Sequence, residues 1–321
     1  MKAAIMKTNM SSRLGVTIAT ILCGIALAAP ASAAPIGIDA AKLPLQARTE
    51  LRASIDKARV LEPAAFRDVR EVTAHAREAD RAARGRKAPV ALRLAGLGPK
   101  ALLPMLELVA FDAAPFAAGE TAADRASVQR DLVEAVGLLK DARSLPVLVA
   151  VLARNSDFAT TRTAAEAIAR LESAEAAATL TSTLKTASGD RAGAILAGMG
   201  SCHREVVSRA LAERLASRPD EATARHAIKA LGHAGSAWAW KTLPAAQKTE
   251  EATSREIAAK ALVASYVSYT GEVRDAAAKA LLVVDDSHTD ALIEGARRGA
   301  SADVAIALDE LARRFAANPT R

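Results

Sequence analysis

From residue 86 onward the apolar side chains recur three and four positions apart, the spacing of one face of an α-helix, with charged and small polar residues between them. Six segments carry the pattern in nearly the same form: RKAPVALRLAGLG, RDLVEAVGLL, RTAAEAIARL, RHAIKALGHAG, REIAAKALVAS and RDAAAKALLVV. Each opens on an arginine (Arg86, Arg130, Arg162, Arg225, Arg255, Arg274). Five or six residues later each sets an alanine before a large aliphatic: Ala91-Leu92, Ala135-Val136, Ala167-Ile168, Ala230-Leu231, Ala261-Leu262 and Ala280-Leu281. A seventh, RAGAILAGMG, fits less closely, with Arg191 three residues before Ala194-Ile195. Second apolar segments follow most of these after a break of Gly, Asp, Ser and Lys, residues that stop or cap helices. They read PKALLPMLELVAF, SLPVLVAVLARN, AEAAATLTSTLKT, HREVVSRALAERLA, SAWAWKTLPAAQ and TDALIEGARRG. Pro104, Pro146 and Pro244 fall in or near their opening turns, where a missing N–H costs least.

Most intervals between the Ala-aliphatic anchors are 27 to 36 residues, room for two helices and two turns. The first is 44, because FDAAPFAAGETAADRA adds a loop. The last is 19, which makes REIAAKALVASYVSYTGE a single helix or a degenerate unit. Paired helices at a fixed period predict an all-α chain, an α-solenoid of stacked antiparallel helix pairs over residues 86–300. Two charged helical stretches precede it, Leu43 to Leu61 and Pro63 to Lys87, the second closing at Gly85; with the lead they occupy residues 34–85. Residues 301–321 form a closing helix and tail, with Ser301 at its N-cap. Such ends suit terminal units, which need one polar face.

The segment DLVEAVGLLKDARSLPVLVAVL, residues 131–152, resembles the HEAT-repeat family, including its bacterial HEAT-like branch: it has the helix, the Lys-Asp turn and the Leu-Pro opening of the second helix. VRDAAAKALLVVDDSHTDALIEGA is the next best match, and the resemblance covers roughly residues 86–300. It implies a solenoid whose second helices line a concave side where a protein or peptide partner binds. Relatives in that family include bilin lyases and DNA glycosylases, so a chromophore-handling role and, further off, nucleic-acid binding stand as alternatives. Such repeats record packing and specify function poorly.

Composition supports the helical reading. About half of the 321 residues are hydrophobic but only 3% are aromatic, and alanine dominates. Alanine and leucine are strong helix formers, whereas sheets draw on β-branched and aromatic residues. The first residues read differently. Lys2, Lys7 and Arg13 precede an apolar run from Leu14 to Ala29 and a small-x-small site, Ala31-Ser32-Ala33, the layout of an export signal spanning residues 1–33. The run is too short for a membrane span, and no later segment is apolar enough for one. A mature chain beginning near Ala34 is exported, periplasmic or secreted. It loses three basic residues and no acidic one, so the net charge falls from +7 to +4, too weak for a nucleic-acid footprint. It also loses Cys23, which leaves Cys202 as the only thiol and excludes an internal disulfide.

Few residues carry candidate chemistry. Cys202 and His203 lie in GMGSCHRE, where Gly198 and Gly200 stop one helix and Ser201 or Cys202 starts the next. Adjacent residues on a helix point about 100° apart, so the pair is a turn rather than a nucleophilic site. A lone exported thiol can instead join two chains, which makes Cys202 a candidate for an intermolecular disulfide. VVDDSHTDAL gathers Asp285, Asp286, His288 and Asp290, possible metal ligands by type but without the alternation and central glycine of a calcium loop. A helix start capped by Ser287 explains them better. His226 and His233 fall on either side of a helix end and share no ligand. Trp238, Trp240, Tyr266 and Tyr269 are the candidate partner-binding residues, since Trp and Tyr are enriched at interface hot spots. Trp238 and Trp240, two apart, face opposite ways. No phosphate loop, Rossmann glycine pattern, zinc-protease helix, nucleophile elbow or paired CxxC is present. The expectation is a non-enzymatic scaffold without cofactor that binds a protein or peptide.

Overall fold

A computed structural model describes residues 40–76, 78–79, 89–111, 121–154 and 157–318; the export signal expected over residues 1–33, Gly85 to Lys87 and most of the loop expected from Phe111 lie outside them. Among the described residues the chain is all-helical, without a strand, and no helix is long and apolar enough to cross a membrane. The helices are α1 (Leu45–Leu61), α2 (Pro63–Ala74), α3 (Pro89–Gly96), α4 (Leu102–Ala110), α5 (Ala122–Leu138), α6 (Leu145–Ala153), α7 (Phe158–Ala169) and α8 (Ala174–Thr186). They continue as α9 (Gly189–Met199), α10 (Glu205–Ala216), α11 (Glu221–Ala234), α12 (Ala237–Thr242), α13 (Glu251–Ser268), α14 (Gly271–Val284), α15 (Thr289–Arg297) and α16 (Ala302–Ala316).

Short-range chemistry sets the boundaries. Thr121 and Asp124 form a reciprocal capping box at the start of α5, and Asp157, Ser173, Asp220 and Ser236 each accept a backbone N–H of the helix they open. The turns within three helix pairs share a device. Lys140, Glu172 and Asp285 adopt left-handed backbone, and each is followed by an oxygen-bearing side chain (Asp141, Ser173, Asp286) that accepts a backbone N–H two or three residues on. The left-handed residue ends one helix and its neighbour organises the entry of the next. At α15 this corrects the expected cap: Asp286, not Ser287, accepts the His288 N–H at 2.9 Å, and the helix begins at Thr289. Ser301 stands at the N-cap of α16, but its side chain makes no capping bond.

Helices pack mainly on the helix two places away. Contacts run α2–α3–α5–α7–α9–α11–α14–α16 along one set, and α1–α4–α6 and α8–α10–α13–α15 along the other, with rungs between the sets. The first set approaches very closely. A Cβ built on Gly137 of α5 would lie 2.6 Å from the Ala167 Cα of α7, and one on Gly232 of α11 would lie 2.8 Å from the Ala280 Cβ of α14. Gly200 repeats this contact, since its Cβ would lie 3.0 Å from the Ala230 Cα of α11, and two residues earlier Gly198 presses on α7, its Cβ 2.7 Å from the Arg162 carbonyl oxygen. Gly198 therefore does not stop a helix: α9 runs through it to Met199, and α10 starts only at Glu205. The contact also resets the register of the irregular unit. Gly198-Met199-Gly200, not Ala194-Ile195, stands where Ala135-Val136-Gly137 and Ala230-Leu231-Gly232 stand, and the anchors at 135, 167, 198 and 230 then recur at 32, 31 and 32 residues.

The short last interval has a similar resolution. Glu251–Ser268 is a single helix, and it packs on α10 and α15, in the second set. REIAAKALVAS is thus not the first helix of a unit but the second helix of the unit that α11 opens. The segment expected in that place, SAWAWKTLPAAQ, forms the short α12 and a 3-10 turn over Ala245–Glu250. Three of the recurrent arginines bind helix ends across the array. Arg191 donates to the Leu152 and Arg154 carbonyls, Arg255 to those of Val284 and Asp285, and Arg274 to those of Tyr266 and Tyr269, where carbonyls lack helical partners. At the N-terminal end Glu107 of α4, buried, pairs with Arg59 of α1 and Arg70 of α2.

The close approach yields a stability test. Gly137→Ala and Gly232→Ala should each lower unfolding stability by about 1–3 kcal/mol in urea titrations, because backbone and a short alanine cannot yield as a long side chain can. Gly295→Ala, in exposed α15 with nothing within 4 Å, should instead raise it by up to about 1 kcal/mol.

Candidate functional site

A network of polar side chains lies around the turn that joins α9 to α10. Cys202 is fully buried there. Burial pushes its thiol far above the ordinary range, and the Glu172 carboxylate adds to the shift more than Arg204 relieves it. A thiol held protonated and out of solvent is neither a nucleophile nor a partner for another chain. The intermolecular disulfide expected of Cys202 is therefore corrected: its sulfur is out of reach of a second molecule.

His203 is pinned from two sides. Glu172 accepts its peptide N–H at 2.8 Å and lies 2.5 Å from its Nδ1, and the ring meets Trp240 edge-on with centroids 5.7 Å apart. Glu172 carries a left-handed φ of 56°, a conformation that costs a residue with a side chain about 1 kcal/mol or more. It sits 31 residues before His203, at the corresponding turn of the preceding helix pair. Arg204 continues the network: it donates to Glu250 at 2.7 Å, and the other Glu250 oxygen accepts the Glu205 N–H at 2.6 Å. Glu250 thus caps α10 from 45 residues away. Burial pushes the Glu250 carboxyl up, but the Glu205 N–H and the Arg204 guanidinium outweigh it and hold it below the usual carboxylate range. Glu172 and Glu250 thus tie the α9–α10 turn and the start of α10 to distant turns.

The other candidates separate. Asp285 is the left-handed residue after α14, and the buried Asp286 faces His288 Nδ1 at 3.1 Å. Among the described residues no three His, Cys, Asp or Glu side chains are grouped as a metal ion would need, those of Asp285, Asp286, His288 and Asp290 included. His226 and His233 both lie within α11, which runs through Gly232 instead of ending there; His226 packs against Phe158 with ring centroids 5.3 Å apart, while His233 lines a groove between α11 and α14.

The aromatic set also divides. Trp240 is fully buried and donates from Nε1 to the Ala234 carbonyl at 2.9 Å; Tyr266 is buried and donates to the Ala307 carbonyl at 2.8 Å. Both are thereby withdrawn from partner binding. Tyr269 is half-buried with its hydroxyl on the Pro219 carbonyl at 2.9 Å. Trp238 alone of the four is exposed, at 75%. Trp238 and Trp240 face opposite ways, as their spacing requires.

Two open grooves run between neighbouring helices in this half of the chain. One, of about 440 Å³, lies between α11 and α14 and is crossed by the Arg225–Glu272 ion pair. The other, of about 560 Å³, lies between α10 and α13 of the second set. Its floor is Ala212, Leu215, Ala216, Ile257, Ala261 and Ala264, with Arg209, Glu213, Arg218, Lys260 and Tyr269 around it. No single segment of sequence marks this groove, because its two walls are 40 to 50 residues apart and each reads as an ordinary amphipathic helix.

No protein-family model matches the chain, and no curated protein matches it at a significant level.

The buried network yields two tests. Native protein beginning at Ala34 should leave Cys202 unmodified by a thiol reagent, label one thiol per chain in denaturant, and show no cross-linked dimer on non-reducing electrophoresis. Glu250→Gln should lower stability at pH 7 by about 1–2 kcal/mol, the worth of hydrogen bonds to a charged group that is partly exposed. Because the folded carboxyl lies below its unfolded value of about 4.3, its contribution is full above that pH and fades as the pH falls through the folded value. The gap between wild type and variant, followed by thermal melts, should therefore close below about pH 4.

Proposed function

We propose that this chain is an exported, non-enzymatic scaffold of the HEAT-like kind, a solenoid that binds a protein or peptide on the face built by its second helices. The observation that carries the reading is the recurrence of one contact: Gly137, Gly200 and Gly232 each press against an alanine of the next helix of the first set, Ala167, Ala230 and Ala280. Repetition of that kind spreads an extended surface rather than enclosing a cavity. The groove between α10 and α13 offers an apolar floor on that surface. The side chains with nucleophilic or acid–base potential, Cys202, His203 and Glu172, are bound up inside turns, which favours recognition over bond chemistry. Export rests on the run from Leu14 to Ala29 and the Ala31-Ser32-Ala33 site, which lie outside the described residues.

A photo-crosslinking residue placed at Ala264, exposed in the α10–α13 groove, should capture a discrete protein from the native envelope fraction. The same residue at Asp275, in the other groove, should not. Capture from neither position, or equally from both, would overturn the assignment of the binding face.

A further inference from the structure

We infer that the groove between α10 and α13 receives an acidic amphipathic segment of another polypeptide, apolar side chains down and carboxylates outward; this rests on the binding role proposed above. The floor comes from both walls and consists largely of alanine, so a backbone can approach closely before side chains collide. The rim decides the chemistry. Three cations, Arg209, Arg218 and Lys260, face a single carboxylate, Glu213. Arg209 is partly neutralised by Glu205 one turn earlier, whereas Arg218 and Lys260 form no ion pair among the described residues. An exposed cation beside an apolar floor, with no acid of its own, is complementary to a ligand that supplies the acid.

Arg218 is also held in place. It takes a left-handed φ of 50° just beyond α10, and the hydroxyl of Tyr269 from the opposite wall donates to the carbonyl of the next residue, Pro219. The turn bearing Arg218 is thus tied across the groove and does not need to be ordered on binding. The C-terminal carbonyls of α10 put partial negative charge at that end, which Arg218 offsets. The carboxylates of the ligand then belong along the flank beside Lys260. The groove between α11 and α14 lacks this asymmetry, since Glu272 and Asp275 answer its cations.

The test uses the protein beginning at Ala34 and two fluorescent amphipathic peptides. Both carry leucines on one helical face, with glutamates on the other face of the first and lysines on the other face of the second. By anisotropy the glutamate peptide should bind and the lysine peptide should not. Lys260→Glu should weaken the glutamate peptide at least about tenfold, and Arg218→Glu should do the same, while Lys279→Glu in the other groove leaves it unchanged. All three positions are exposed, and circular dichroism checks that the variants fold. Equal binding of the two peptides, binding of neither, or indifference to Lys260→Glu would overturn the inference. Sedimentation with phosphatidylglycerol vesicles that Lys260→Glu abolishes would also overturn it, by assigning the rim to lipid headgroups. If the crosslinker at Ala264 captures a protein while the glutamate peptide is ignored, the acidic assignment falls alone; if it captures none, the binding face falls with it.

Discussion

The near-contact of backbones between helices of the first set governs the rest of the structure. Where Gly137 meets Ala167, or Gly232 meets Ala280, there is no room for an added carbon. Small residues at those points let two helices lie together with little between them, and the bulk of the core is displaced to the leucines, valines and isoleucines on either side. This is how a chain with 3% aromatic residues fills its interior. Dispersion at close packing density does the work that large rings do elsewhere. It also restricts how successive units can be rotated, since a shift along the helix brings a side chain against a backbone.

A chain built by such contacts must solve its helix ends one at a time, and it does so by reaching to the neighbour. Arg191, Arg255 and Arg274 stand on one helix and satisfy the last carbonyls of another. Glu172 and Glu250 do the converse, offering carboxylates to the N–H groups of a distant turn. Charged residues that look in sequence like a solvated stripe are therefore the cement between units. Their partners differ from place to place, which is why the arginine recurs while the residues it binds do not.

Much of this was legible from the chain. The helical class followed from spacing and composition, and the opposed faces of Trp238 and Trp240 from spacing; the pairing of segments held only in part, since REIAAKALVAS takes the place expected of SAWAWKTLPAAQ. The register of the seventh unit did not, because Ala194-Ile195 matches the pattern by residue type whereas Gly198-Met199-Gly200 matches it by contact. A glycine read as a helix stop and a glycine required by close approach are the same letter. Cys202 was misjudged for a related reason: a turn reads as surface, and nothing nearby announces that Trp240, 38 residues later, closes over its neighbour. The link between Glu172 and His203 could have been suspected, since 31 residues is one period and equivalent turns of adjacent units lie side by side.

The departure from the period has the clearest consequence. Between Ala230 and Ala280 the chain carries α12 and a 3-10 turn beyond what one helix pair needs. That extra segment does not project as a loop. It places Trp240 against His203 and Glu250 on the first turn of α10, so that the unit opened by α11 grips the second helix of the unit before it. α13 begins immediately after Glu250. The same few residues that cap α10 therefore also set where α13 starts, and with it the separation of the two helices. The wall-to-wall distance of the α10–α13 groove is fixed at one end by this insertion and at the other by the bond from Tyr269 to Pro219. A groove tied at both ends by its own walls keeps its width without a ligand, which distinguishes it from a gap left by loose packing.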